Sequence, residues 1–176
     1  MRQLTWAGYL KTYVPYLADT RSQAMSRLAE QARMRPRATE PLLLLAATTG
    51  RAQELSRHIQ DRPNLLAELR LLDELVREDQ LEAALANEDS RLRPEYAKTW
   101  RSFVVRRDTV RRDARLKQVA RDRVLALETS REVTRYRMAK DLGLNPGNLH
   151  AFLSQGNLSK LSLARAYQLV DYLEAA

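Results

Sequence analysis

TRYRMAKDLGLNPGNLHAFLS, residues 134–154, spells two short helices and the turn between them. Thr134 is a good N-cap, because a hydroxyl there accepts from an unpaired N–H of the first turn. Met138, Ala139 and Leu142 then fall on one face at helical spacing. Gly143 stops the helix where a left-handed residue is needed, and Leu144 turns back toward the core. Asn145 caps the next helix, and Pro146 takes its first position, where a missing N–H costs nothing. Leu149, Phe152 and Leu153 face inward, which leaves Gly147, Asn148, His150, Ala151 and Ser154 outward.

Around this stretch the chain reads as helix throughout. It has 176 residues, only five glycines and six prolines, and no long apolar/polar alternation at period two, so the fold class is all-α. Thr5 caps a first helix carrying Trp6, Tyr9, Leu10, Tyr13, Val14 and Leu17, bent or broken near Pro15, and its aromatics read as core packing. A second helix runs from Thr20 to about Met34 and ends at Pro36, beside Arg33, Arg35 and Arg37. Thr39-Glu40-Pro41 opens a nearly all-apolar helix, closed by Gly50. A helix apolar on every side has to be buried. A short helix over about 51–60 follows. Asn64 then caps a longer one to about Ala86, with a leucine seam and a solvated acidic face that includes Glu68, Asp73 and Glu74.

Asn87-Glu88-Asp89-Ser90 is the most polar short break, and the first domain is placed at 1–90, an N-terminal helical bundle for dimerisation or for binding a partner protein. Pro94 starts a helix that no Gly or Pro interrupts before Glu128. Its apolar stripe shifts midway: Tyr96, Trp100, Phe103, Val110 and Ala114 share one face, while Leu116, Ala120, Val124 and Leu127 share another. Either the helix breaks near Asp113, or one long helix packs on two cores in turn. Residues 91–115 are assigned as a basic connecting helix and 116–176 as the C-terminal domain.

Charge divides along the same line. Residues 1–90 hold 12 Lys+Arg against 13 Asp+Glu, a net of −1, whereas residues 91–176 hold 18 against 9, a net of +9. A cationic module attached to a neutral domain is the pattern of a polyanion binder. Arg107, Arg111 and Arg112 belong to a run of nine basic residues between Arg101 and Arg123, set against three acids. The density favours phosphate contact by a few of them.

The ordered series Ala139, Gly143, Leu144, Leu149 and Gly156, followed by LSLARAYQLVDYL, resembles the helix-turn-helix of the Cro/repressor-type (xenobiotic-response-element-like) DNA-binding family, over roughly Leu116 to Leu173. Two places depart from the family pattern: Pro146-Gly147, where longer polar side chains are common, and Leu153, near where many members carry a glutamate. The resemblance implies that the second helix enters the major groove of double-stranded DNA, its N-terminal residues toward the base edges. Gly147, Asn148, His150 and Ala151 are then the base-reading candidates, with Asn148 able to pair bidentately with adenine. Arg135, Arg137 and Lys140 on the first helix, with Asn157, Ser159 and Lys160 in the following loop, are the phosphate candidates.

The absence of cysteine removes disulfides, thiol catalysis and cysteine-held metal. His58 has no second ligand candidate nearby, no apolar run reaches the length of a membrane span, and no signal core opens the chain. With no phosphate loop, metal spacing or acid–base pair, the chain is read as a non-enzyme without cofactor, in the cytoplasm. Three readings remain open: a sequence-specific regulator, repressor or autoregulator, acting as a homodimer; a DNA-binding or docking subunit of a larger assembly; and an all-helical interaction protein that never touches DNA.

Overall fold

The computed structural model describes residues 4–13 and 25–176, and among these every regular element is helical. The helices are α1 (Trp6–Tyr13), α2 (Met25–Met34), α3 (Thr39–Thr48), α4 (Ala52–Ser56), α5 (Pro63–Arg77), α6 (Leu81–Ala86), α7 (Pro94–Ser130), α8 (Arg135–Asp141), α9 (Pro146–Leu153) and α10 (Leu163–Ala175). Short 3-10 turns at Pro36–Ala38 and Leu158–Lys160 join them. The expected helix start at Thr20 and the bend at Pro15 lie outside the described residues. No described helix is long and apolar enough to cross a membrane.

The chain forms two compact units, Leu4–Arg106 and Arg107–Ala176. In the first, α3 is the central element: every residue from Pro41 to Ala47 is buried, and α1, α2, α4 and α5 pack around it. The aromatics of α1 meet those at the start of α7. Trp6 lies 4.4 Å from Phe103 and 5.5 Å from Trp100, centroid to centroid, the latter edge-on. These are core contacts, as the sequence led us to expect. Arg93 donates to Glu40 (2.6 Å) and Glu68 (2.9 Å), and the Tyr96 hydroxyl donates to Glu68 at 2.7 Å. Burial first, and then Glu68, push the Tyr96 hydroxyl pKa well above the usual range. Glu68 is therefore tied inward with Glu40, and does not belong to the solvated acidic face expected of its helix.

Two expectations about the N-terminal helices are corrected. The helix anticipated from Asn64 to Ala86 is two helices, because Asp79 adopts φ 56° and Gln80 N–H closes back on Leu75 O at 2.8 Å. Its first position is taken by Pro63. The polar break at Asn87–Ser90 is a turn inside the first unit, since Leu92, Tyr96, Trp100 and Phe103 beyond it are buried in the same core.

Helix α7 is one unbroken run of 37 residues, so no break occurs near Asp113. Between Phe103 and Ala120 none of its residues is buried. Ala120, Val124 and Leu127 then join Met138, Ala139, Leu149, Phe152, Leu153, Leu161, Ala166, Leu169 and Leu173 in the core of the second unit.

Candidate nucleic-acid interface

The local chemistry of residues 134–149 builds α8, the turn and α9. The Thr134 hydroxyl accepts from Arg137 N–H at 3.2 Å. Gly143 takes φ 60°, and Leu144 N–H closes on Ala139 O at 2.8 Å. A Cβ on Gly143 would meet nothing within 4 Å, so the backbone conformation alone calls for glycine. Asn145 Oδ1 accepts from Asn148 N–H at 3.1 Å, and Pro146 occupies the first turn. A Cβ on Gly147 would lie 3.2 Å from that same Asn145 oxygen, so glycine here leaves the cap uncrowded.

Asn145, Pro146, Gly147, Asn148, His150 and Ser154 are exposed. Ala151 is a correction: it is 8% exposed and does not face outward. The chain returns over it, with Asn157 N–H donating to Ala151 O at 3.0 Å and the 158–160 turn packing on α9. Leu153, buried at 1%, is likewise a core position here. With steps of about 100° per residue, Gly147, His150 and Ser154 share one stripe, and Asn148 lies about 160° around from His150. The outer side of α9 therefore offers two separate polar groups rather than one continuous edge. His150 Nδ1 is 3.5 Å from Ser154 Oγ.

Among the phosphate candidates, Lys140, Ser159, Lys160 and Arg111 are exposed. Lys140, Lys160 and Arg111, together with Arg115 and Arg131, have no ion-pair partner among the described residues. Arg137 is 68% exposed and 3.6 Å from Asp141, which also accepts from the Tyr172 hydroxyl at 2.6 Å. That hydrogen bond, with some burial, raises the Tyr172 pKa. Arg112 is exposed 3.6 Å from Asp113, and Arg107 is half-buried 3.3 Å from Asp108. Two candidates are corrected. Arg135 is held by Glu128 through paired contacts of 2.7 and 2.8 Å and also donates to Ser154 Oγ, so its charge is compensated within the protein. The Glu128 hydrogen bond accordingly raises its pKa. Asn157 Oδ1 accepts from Ser159 N–H at 3.2 Å and Ser159 Oγ at 2.7 Å, capping the 3-10 turn.

Sequence reasoning passed over Tyr136, an exposed aromatic (73%) between Arg135 and Arg137 on α8. Lys117 and Arg121, two of the nine basic residues between Arg101 and Arg123, bond inside the protein. Lys117 Nζ donates to Leu158 O at 3.3 Å, and Arg121 donates to Phe152 O and Leu153 O. No group of three or more metal-ligating side chains converges among the described residues. Comparison of the chain with protein-family models, with curated proteins and with solved structures returns no match.

Proposed function

We propose that residues 107–176 form a helix-turn-helix module that binds double-stranded DNA, with α9 in the major groove, and that the chain is a transcriptional regulator, a repressor or autoregulator, acting as a homodimer. One observation carries the reading. The N-terminus of α9 is capped, exposed and unencumbered by large side chains, and uncompensated Lys140 and Lys160 lie on the two segments that flank it in the chain. Such a helix end attracts an anionic backbone, and the flanking cations supply sequence-independent affinity.

Base readout falls to Asn148 and His150, which approach from different sides of α9. Arg137, Lys140, Lys160 and Arg111 serve as phosphate contacts that set register, while the Ser159 donors are spent on Asn157. Gly147 lets the backbone come close to the phosphodiester. The first unit supplies self-association.

Selection of bound duplexes from a randomised pool, followed by sequencing, tests the reading. Enrichment of a two-fold motif with half-sites about one helical turn apart supports it. Absence of any retained duplex, even in dilute salt, would overturn it. A single half-site bound by one chain that co-purifies with another protein would point instead to a docking subunit.

A further inference from the structure

An eight-residue helix is too short to hold itself together in water, and its last four carbonyls have no partner inside the helix. In α9 each of the four is satisfied. His150 O accepts from Ser154 N–H at 2.8 Å, and Ala151 O accepts from Asn157 N–H at 3.0 Å. The other two are served by one side chain from a different helix. Arg121 of α7 donates from Nε to Phe152 O at 2.9 Å and to Leu153 O at 3.1 Å, and from Nη2 to Leu153 O at 2.7 Å. The Arg121 side chain is only 18% exposed, and a Cβ on Gly156 would come within 3.9 Å of its guanidinium. A second arginine acts beside it: Arg135 donates to Ser154 Oγ while Glu128 of α7 grips its other edge.

We infer that Arg121 is a positioning residue of the proposed DNA site, and that with the Glu128–Arg135 pair it sets the angle at which α9 meets the duplex. The inference rests on the DNA-binding reading above. The geometry behind it is a lever. The C-terminal end of α9 is bonded to α7, while Asn145, Gly147 and Asn148 at the other end are open to solvent. At 1.5 Å per residue α9 is about 12 Å long, so a tilt of about 10° at the bonded end moves its free end by about 2 Å. That is enough to break a hydrogen bond to a base edge. A cation at a helix C-terminus also suits the helix dipole, and guanidinium is the side chain that reaches two carbonyls at once. Arg121 itself does not touch DNA.

The test uses the full chain and two labelled duplexes: the sequence enriched by the wild type from a randomised pool, and a scrambled one of equal length. R121A and E128Q are compared with K140A by titration at several salt concentrations, after thermal melts show each to be folded at the assay temperature. R121A is expected to weaken binding of the enriched duplex about tenfold and to lower its preference over the scrambled one. The dependence of log K on log salt should stay at the wild-type slope. R121K recovers part of the preference, and E128Q gives a smaller loss of the same kind. K140A, a phosphate contact, should instead lower the slope by about 0.9 per chain, about 1.8 for the homodimer, and weaken both duplexes alike. Unchanged preference in folded R121A would overturn the inference and leave the DNA-binding reading standing, as would a slope reduced by about 0.9 per chain. If R121A is unfolded, R121K and E128Q decide alone, and unchanged preference in both overturns it. A wild type that binds neither duplex removes the reading, and the inference with it.

Discussion

In the proposed DNA complex, Asn148 is the residue on which sequence discrimination depends most. Its backbone N–H is committed to the Asn145 cap, while its side chain is exposed at the first turn of α9. A bidentate amide contact to adenine contributes roughly 1–3 kcal/mol of discrimination, so N148A should flatten the preference between enriched and mismatched duplexes by about that amount in a competition titration. Arg111 and Arg112 make a contrasting pair. Arg111 is exposed without an ion-pair partner among the described residues, and its replacement by Ala should weaken all duplexes and reduce the salt slope by about 0.9 per chain. Arg112 lies beside Asp113 and about 180° around α7 from Arg121, and R112A should leave the slope at the wild-type value. The residues whose roles were readable in advance are those with local partners. Thr134, Gly143 and Asn145 act within three residues of themselves or through their own backbone angle, and the sequence shows both. Arg121 acts on carbonyls 31 and 32 positions away and Arg135 on a carboxylate 7 positions away. Nothing in their spacing separates them from a cation facing DNA.

Single elements carry their own tests. Gly143 ends α8 with φ 60° and open space where a Cβ would stand, so the cost of G143A is the backbone term alone. That amounts to about 1–2 kcal/mol of stability, measurable by urea unfolding followed by circular dichroism. The turn between α6 and α7 responds to acid. The Arg91 guanidinium, then its backbone N–H, lower the Asp89 carboxyl from 3.8 to about 2. A depressed pKa stabilises the folded state above the ordinary value and loses that contribution as pH falls through the lowered one. Thermal melts should therefore show D89N losing less stability than the wild type between pH 3.8 and about pH 2. Helix existence was legible from apolar period and breakers, which is why α3 and the α8–α9 pair match their expected limits closely. The division of α5 from α6 was not, because Asp79 adopts a left-handed angle usually marked by glycine or asparagine. The burial of Ala151 was not either, because it depends on where the chain goes after Gly156.

Across the whole molecule, the charge split between a near-neutral N-terminal half and a half at +9 remains the broadest argument for a polyanion partner. The unit boundary falls inside α7, at Arg106–Arg107, because the aromatic start of that helix belongs to the first core and Ala120, Val124 and Leu127 to the second. A polar turn proved a poorer guide to the boundary than the shift of the apolar stripe along α7, which was visible in the sequence. Self-association through the first unit predicts a sedimenting species of twice the chain mass, and a footprint of two half-sites about 34 Å apart. The central claim is that the N-terminal end of α9, in the cationic unit, is what meets duplex DNA. Amide chemical-shift mapping of the full chain during titration with duplex DNA tests it most directly. The account predicts the largest shifts at Gly147, Asn148 and His150, with Lys140 and Lys160 close behind. Shifts confined to Leu4–Arg106, or none at any duplex concentration in dilute salt, would contradict it.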